Sequence, residues 1–182
     1  MVIIIMLKDK TSLIRAVKPA LIAFFSVILV FFVILLCNGV PSSSMESTIR
    51  EGTFIISFRL PAYFSNPDRG DIVVFHSDEK DMELVKRVIA VGGDCIELKD
   101  GYVYLNGELL EEPYATGKTF ATTETVFKVP EGHFWALGDN RENSNDSRSF
   151  NSPYIPYSKI EGYVFLNVSF NSDIGWYVHT VN

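Results

Sequence analysis

Three serines follow a proline near residue 40: Ser42, Ser43 and Ser44 come directly after Pro41. Serine clusters are common in turns, because the hydroxyl can hydrogen-bond its own backbone. A serine hydroxyl can also be the nucleophile of an acyl-transfer reaction, provided that a base removes its proton. The second use requires a base elsewhere in the chain.

Histidine is the usual base for a serine, and the chain contains His76, His133 and His179. None has a recognisable catalytic setting. The first ends an apolar strand pattern, the second follows a turn, and the third lies near the C-terminus. We interpret all three as structural or surface residues.

Lysine can serve as the base when burial keeps its amine neutral. Lys86 lies in the apolar segment 84–91, and strand alternation places its side chain on the face of Leu84 and Val88. An apolar face lowers the pKa of an amine. Taken alone, however, this segment better fits an edge lysine whose amine reaches solvent.

A polar segment, residues 138–148, follows the apolar strand pattern at 134–137. Its presence favours the interpretation of Lys86 as a base over that of an edge lysine. It is not a calcium loop, because Arg141 occupies a position that should supply oxygen and the required glycine is absent. A solvated loop remains possible. The segment contains many Asp, Asn, Ser and Arg side chains that can hydrogen-bond to one another, and this favours an ordered hydrogen-bond network after the core strand.

The charge of the chain is unevenly distributed. The formal net charge is −6, and residues 1–18 carry +3 of it, so the remainder carries −9. An acidic domain argues against nucleic acid as a partner. The two cysteines, Cys37 and Cys95, provide neither a disulfide framework nor zinc spacing, and we predict no metal and no cofactor.

A long uncharged run extends from residue 20 to 37, with Ser26 as its one polar residue. At about 1.5 Å per residue, it covers most of the ~30 Å hydrocarbon core of a bilayer. The positive-inside rule then predicts a cytoplasmic arm (1–18), one transmembrane helix (19–38) and an extracytoplasmic domain (39–182) in the cell membrane. A cleaved signal peptide is disfavoured, because its apolar core would be shorter and the exit of this run, Leu-Leu-Cys-Asn-Gly-Val, has no Ala-x-Ala-type cleavage pattern.

The domain after this run has the pattern of short strands. Asp-Gly at 100–101 and Asn-Gly at 106–107 predict tight hairpin turns around 102–105. We predict an all-β domain, a folded-over antiparallel sheet or partial barrel, with further strands at 54–58, 72–75, 84–91, 119–129, 133–137 and 162–170.

The segment 60–64, Leu-Pro-Ala-Tyr-Phe, allows two interpretations. It is either a buried loop between two strands or an exposed apolar rim that dips into the bilayer beside the helix.

Together these segments resemble the boxes of the bacterial type I signal peptidases, the membrane-anchored Ser-Lys proteases that cut leader sequences from exported proteins. The resemblance covers most of the chain and is to the compact, single-span form. It implies a membrane-bound serine endopeptidase that cuts after small residues and whose partners are signal peptides and the lipid bilayer. It rests on the apolar run, Pro-Ser-x-Ser-Met-Glu at 41–46, residues 69–75, Lys86-Arg87, residues 92–94 and residues 138–148.

The resemblance implies a role for each site residue. Ser44 is the nucleophile and Lys86 its general base, while the Ser42 hydroxyl and the Ser44 backbone N–H form the oxyanion hole. Ser144 hydrogen-bonds the lysine amine and orients it. The remaining roles are a supporting network formed by Arg87 with Asp139 and by Asp146 with Arg148, and apolar substrate pockets walled by Val40, Met45, Leu84 and Val85.

Three residues depart from the family pattern. Ser43 stands where glycine is usual, Ser47 where proline is common, and Leu84 where an aromatic residue is frequent. Neither Ser43 nor Ser47 removes a reactive group, but Ser43 makes the assignment of Ser44 depend on the alignment within the box. Leu84 bears on the shape of the pocket and on the desolvation of Lys86.

Two other functions share features of this sequence. A self-cleaving repressor can use Ser-Lys chemistry on the same fold, but it would carry a DNA-binding domain in place of the apolar run. A catalytically silent, anchored β domain is disfavoured by the presence of both Ser44 and Lys86, and labelling with a serine-directed covalent probe would distinguish it from a protease.

Overall fold

The computed structural model describes residues 2–121, 124–171 and 175–181. The chain divides into two units, residues 1–34 and residues 35–182. The first unit is one helix, α1 (Val2–Ile34), with Pro19 inside it. Among the residues described, no helix has both the length and the apolar character needed to cross a membrane.

The end of α1 differs from the prediction. A helix was expected to continue to residue 38, but α1 ends at Ile34 and Leu35–Gly39 form strand β1. This strand pairs antiparallel with β2 (Phe54–Phe58), and Asn38 lies opposite Ile55. The prediction of helix for 35–38 is therefore wrong, because a strand distant in sequence decides the conformation of an apolar segment that is locally ambiguous.

The second unit is built on an eight-stranded antiparallel sheet. Besides β1 and β2, its strands are β3 (Ile72–Ser77), β4 (Met82–Val91), β9 (His133–Leu137), β10 (Ile155–Pro156), β11 (Ile160–Asn171) and β12 (Gly175–Thr180). Their order in the sheet is β1, β2, β11, β3, β4, β9, β10, and β12 also pairs with β11.

A smaller four-stranded sheet has the order β7, β6, β5, β8. Its strands are β5 (Cys95–Lys99), β6 (Tyr102–Leu105), β7 (Glu108–Leu109) and β8 (Val126–Lys128). Both predicted hairpin turns are present: Asp100 and Asn106 have φ of 55° and 54°, and the glycine after each is also at positive φ. Such turns need this conformation at both central positions, which is why Asp-Gly and Asn-Gly predict them.

The all-β fold class is confirmed. The strands predicted at 54–58 and 133–137 have the observed bounds. Of the residues in the range 119–129 that the structure describes, which leave out 122 and 123, only Val126–Lys128 form a strand. Strands β1, β5, β7, β10 and β12 were not predicted.

The segment 60–64 contains a short helix, α2 (Pro61–Phe64). Tyr63 and Phe64 are 68% and 84% exposed, so the interpretation as a buried loop is wrong for these side chains.

Three apolar clusters position the functional segments. Val40, Met45 and Ile49 pack with Ile55 and Val74 beneath the serine segment. A second cluster lies around Val73, Phe75, Val88 and Phe134, and a third around Ile89, Ile96, Phe127 and Trp135. Burying each such side chain contributes about 1.5–3 kcal/mol, which holds β3, β4 and β9 in place beside the serines.

Candidate active site

The serine segment forms a short 3-10 helix, Ser43–Met45, directly after an extended residue, Ser42. Met45 is 1% exposed and acts as the apolar anchor of this turn. Its carbonyl accepts a hydrogen bond from the N–H of Ile49, at 2.8 Å, so that the chain after the turn folds back on it. Ser44 is thereby held at the surface of the apolar cluster with its side chain largely buried.

Lys86 extends from β4 toward this turn. Its Nζ lies 2.7 Å from Ser44 Oγ and also donates to the carbonyl oxygen of Val85, at 3.0 Å. Lys86 is 3% exposed. Burial lowers the pKa of the amine to about 8, against an opposing effect of the carboxylates of Asp146 and Asp139. The amine therefore lies at hydrogen-bond distance from Ser44 Oγ with its charged form destabilised by burial.

Ser42 lies on the open side of the pair. Its Oγ is 3.4 Å from Ser44 Oγ, and the residue is exposed. Its backbone is extended (φ −139°, ψ 155°), so the chain turns sharply between Ser42 and Ser44. The structure thus brings together Ser42, Ser44 and Lys86, the three residues to which the sequence assigns the chemistry.

The polar segment 138–148 holds the serine turn from the other side. The backbone N–H of Asn140 donates to the carbonyl of Ser44 at 3.0 Å, and its side-chain amide donates to the carbonyl of Ser43 at 3.1 Å. The amide of Asn143 donates to Ser43 Oγ at 2.7 Å. The Asn140 and Asn143 contacts were not anticipated. They show that Ser43 is tied to this segment by its side chain as well as its backbone.

Arg87 pairs with Asp139, the partner named from the sequence. Its Nε and Nη2 donate to the two carboxylate oxygens at 2.9 and 2.8 Å, and both side chains are at most 2% exposed. The same guanidinium donates to the carbonyl of Gly70, and it lies over the ring of Tyr114 at 3.9 Å. The fork geometry of arginine suits this bidentate pair.

Asp146 pairs with Arg148 at 2.8 and 2.9 Å, again as the sequence suggested. Asp146 Oδ2 also accepts the backbone N–H of Gly138, and Arg148 donates to the carbonyl of Arg141. These hydrogen bonds connect the end of the polar segment to its beginning, next to the serine turn.

A further ion pair was missed. Arg141 donates to both carboxylate oxygens of Glu112 at 2.7 and 2.6 Å, and it also donates to the Gly138 carbonyl and to Thr119. Arg141 is 2% exposed. No local signal marks Glu112 as its partner, because Glu112 lies in an irregular segment distant in sequence.

Ser144 differs from the expectation. Its Oγ is buried and has no hydrogen-bond partner within the part of the chain that is described, so the expected bond to Lys86 is not formed. The hydroxyl instead packs against Gly138, close to the position that a Cβ of residue 138 would occupy. The amine of Lys86 makes its second hydrogen bond to its own strand, at Val85.

A cleft of about 170 Å³ opens beside the Ser44–Lys86 pair. The three histidines are absent from its described lining, as expected from their sequence settings. All four residues predicted as pocket walls line it: Val40, Met45, Leu84 and Val85. The other lining residues are Asn38, Gly39, Pro41, Ser42, Ser44, Val74, Met82, Glu83 and Lys86.

Comparison with known proteins gives a consistent result. The family described as "Signal peptidase, peptidase S26" matches residues 12–169. The chain is similar to the signal peptidase I of Bacillus licheniformis, with 34% identity over 149 residues that cover 77% of this chain and 80% of that protein. It is also similar to the signal peptidase I U of Bacillus subtilis strain 168, with 32% identity over 151 residues, 78% of this chain and 79% of that protein.

Among solved structures, a signal peptidase I from Enterococcus faecalis V583 is 30% identical to the chain. Its TM-score is 0.46, and the match covers 54% of this chain and 97% of that one.

Proposed function

Because the chain belongs to the signal peptidase family, peptidase S26, we propose that it removes N-terminal signal peptides from exported preproteins with Ser44 as nucleophile and Lys86 as general base. The activity is that of a serine endopeptidase. One observation supports the two residue roles above all others: the buried amine of Lys86 donates to Ser44 Oγ at 2.7 Å.

The protonation state of Lys86 fits the role of base. An ordinary lysine amine is almost fully charged at neutral pH and cannot accept a proton. Burial lowers the pKa of Lys86 to about 8, which leaves roughly a tenth of the amines neutral at pH 7. A base with a pKa near the working pH is the most effective one.

In the first step, the neutral amine of Lys86 takes the proton of Ser44 Oγ while the oxygen attacks the carbonyl carbon of the bond to be cut. The carbonyl π pair moves to its oxygen, which becomes an oxyanion. When the tetrahedral intermediate collapses, the ammonium of Lys86 gives the proton to the leaving amine. The mature protein leaves, and the signal peptide remains as an ester on Ser44.

In the second step, Lys86 takes a proton from a water molecule that attacks the ester carbonyl. Collapse of this second intermediate returns the proton to Ser44 Oγ and releases the signal peptide with a free carboxylic acid, which then loses its proton to solvent. Lys86 is then neutral again. The proton transfers of the cycle therefore require no group beyond Ser44, Lys86 and water.

The oxyanion is assigned to the Ser42 hydroxyl and the backbone N–H of Ser44. Ser42 Oγ is 3.4 Å from Ser44 Oγ and the residue is exposed, which supports the Ser42 hydroxyl as a donor to the oxyanion. The first N–H groups of a helical turn have no partner within the turn, and Ser44 is the second residue of Ser43–Met45. Losing one such donor typically costs about 10²–10³ in rate.

The cleft supports a peptide substrate with small side chains. Strand β4 pairs with β9 only from Arg87 onward in the described chain, so the backbone edge of 82–86 is open on that side, along the cleft. An open strand edge binds an extended peptide through main-chain hydrogen bonds. The volume of about 170 Å³ and the apolar walls at Val40, Met45, Leu84 and Val85 suit residues such as alanine near the bond that is cut.

No helix among the described residues has the length and apolar character needed to cross a membrane, but from the uncharged run at 20–37 we also propose that this part of the chain anchors the enzyme as a single-pass protein, with the arm 1–18 in the cytoplasm and residues 39–182 outside. Large apolar side chains on α1 are exposed, for example Phe25 (62%), Val27 (68%) and Leu29 (65%). The exposed Tyr63 and Phe64 of α2 suit contact with the bilayer surface. Two variants without Cys37 and Cys95, one with a single cysteine at residue 10 and one with a single cysteine at residue 99, should distinguish the two sides of the membrane. In intact cells, a thiol reagent that does not cross membranes should label only the cysteine at residue 99.

Cleavage of a preprotein by the full chain in detergent tests the catalytic pair. Wild type should release the mature protein, and Ser44→Ala and Lys86→Ala should both lose measurable turnover while they keep the β-sheet circular dichroism spectrum. Lys99→Ala, an exposed lysine on β5, is the matched control and should be as active as wild type. Retained turnover in Lys86→Ala would move the base to another residue.

A further inference from the structure

Two polar side chains face each other across the cleft, away from the catalytic pair. The amide Nδ2 of Asn38 donates to Glu83 Oε2 at 2.5 Å. Asn38 belongs to β1 and Glu83 to β4, and both line the cleft. Their hydrogen bond therefore connects the two walls.

The register fixes where this pair lies. Asn38 is two residues before Val40 on one wall, and Glu83 is two residues before Val85 on the other. Residues two apart on a strand project on the same face, about 6–7 Å from each other. The pair consequently lies one side-chain repeat farther from Ser44 than the apolar walls Val40 and Val85.

Asn38 has an unused acceptor. Its Oδ1 is buried and has no hydrogen-bond partner among the described atoms. Leaving a buried acceptor unpaired is unfavourable, so a donor that enters the cleft at this point gains from pairing with it.

The surroundings of Glu83 are acidic. Partial burial raises the pKa of Glu83, and hydrogen bonding and charge repulsion from the nearby carboxyl of Glu161 raise it further. His76 lies opposite Glu83 on β3 and Arg59 is also near, but neither forms an ion pair with Glu83 among the described residues. A cationic or hydrogen-bond-donating group from a ligand would be favoured here, and an anionic group disfavoured.

We propose that Asn38 and Glu83 form a subsite for the fifth residue before the cut bond, which selects a basic or amide side chain there. This inference rests on the proposed function. If the third residue before the bond lies between Val40 and Val85, the fifth projects to the same side, one repeat farther along an extended peptide. The side chain of this fifth residue then donates to Asn38 Oδ1 and contacts the Glu83 carboxylate, either in place of the Asn38–Glu83 hydrogen bond or in addition to it.

Peptide binding to the Ser44→Ala protein tests the subsite without any turnover. Four fluorescent peptides would share alanine at the first and third positions and differ at the fifth, which is Lys, Gln, Leu or Glu. We expect the Lys peptide to bind about tenfold tighter than the Leu peptide, with Gln between them and Glu weakest, as for a partly exposed hydrogen bond to a charged group. Equal affinities, or no binding by any of the four peptides, would overturn the proposal.

Variants identify the residues responsible. In the Ser44→Ala background, Glu83→Gln should reduce the preference for Lys over Leu to about twofold, and Asn38→Ala should remove the preference for Gln over Leu. Glu83→Asp keeps the charge and should keep the preference for Lys. Asp81→Asn is the control: it removes a carboxylate that is 98% exposed on the same hairpin, and it should leave all four affinities unchanged.

The two proposals fail separately in this design. Cleavage that survives Ser44→Ala would contradict the catalytic assignment but would leave the binding preference intact. A preference for Lys that persists in Glu83→Gln would contradict the subsite, whatever the catalytic result.

Discussion

Lys86 and Arg87 are adjacent on β4 and both are at most 3% exposed, but their hydrogen-bond partners differ in charge. Arg87 donates to both oxygens of the Asp139 carboxylate, whereas Lys86 donates to the neutral groups Ser44 Oγ and the Val85 carbonyl. A buried cation with a carboxylate partner keeps its charge, and one with neutral partners is destabilised in its charged form. The strand therefore carries one permanent cation for structure and one amine that can lose its proton.

The first prediction concerns the dependence of activity on pH. Because neutral Lys86 is the active form and its pKa is lowered to about 8, kcat/KM should rise roughly tenfold per pH unit below pH 7.5 and level off above about pH 9. Initial rates of preprotein cleavage between pH 6 and 10 would measure this. Lys99→Ala should show the same profile as wild type, and a profile that is flat from pH 6 to 9 would contradict lysine as the base.

The second prediction concerns stability. A lysine whose pKa is lower when folded than when unfolded destabilises the folded protein at pH 7, where both states are largely protonated. Removing the amine in Lys86→Met should therefore increase the free energy of unfolding by about 2–3 kcal/mol at pH 7. Between pH 8 and about 10.5 the unfolded state binds more protons, so the stability contributed by Lys86 rises with pH.

Urea denaturation of both proteins at pH 7 and pH 10 would check the effect. The advantage of Lys86→Met should shrink at the higher pH, since the wild-type amine is then neutral in the folded state. An advantage that is the same at both pH values, or a loss of stability at pH 7, would contradict the penalty assigned to the buried amine.

The sequence predicts this domain well where the signal is local. Asp100-Gly101 and Asn106-Gly107 specify their turns by themselves, because both need positive φ at consecutive residues. Strand β1 was missed, because Leu35–Gly39 continues an apolar run and becomes a strand only by pairing with β2. The motifs identified Ser44 and Lys86, but they could not show that Asn140 and Asn143 hold Ser43 or that Glu112 pairs with Arg141, since these contacts exist only once the strands are assembled.

The third prediction concerns the buried ion pair. Asp139→Leu leaves the Arg87 guanidinium buried without its carboxylate and should lower the free energy of unfolding by about 3–5 kcal/mol. Replacing both residues, as Arg87→Met with Asp139→Leu, should cost much less than the sum of the two single changes. Denaturation of the four proteins of this cycle measures the coupling. Additive losses would indicate that the pair contributes nothing beyond its separate side chains.

The fourth prediction concerns Ser43, which stands where glycine is usual in the family pattern. Its Oγ accepts from the Asn143 amide at 2.7 Å, so Ser43→Gly and Asn143→Ala should each lower kcat several-fold by loosening the turn that carries Ser44. Because the two changes remove the same contact, the double variant should be no slower than either single variant. Full additivity in kcat would show that the hydrogen bond does not position the turn.

The fifth prediction concerns Gly138, where β9 leads into the polar segment. A Cβ at this position would collide with Ser144 Oγ and with the backbone carbonyl of Ser44, and a backbone atom cannot move aside as a flexible side chain can. Gly138→Ala should therefore displace Ser44 from Lys86 and lower kcat by at least about 10², the penalty for a small misplacement of reacting groups. Adding Ser144→Gly should relieve part of the collision and restore part of the rate. Gly107→Ala, at positive φ in open space, is the control: it should cost about 1 kcal/mol of stability without loss of kcat. A fully active Gly138→Ala enzyme would contradict the close packing of this glycine against the nucleophile.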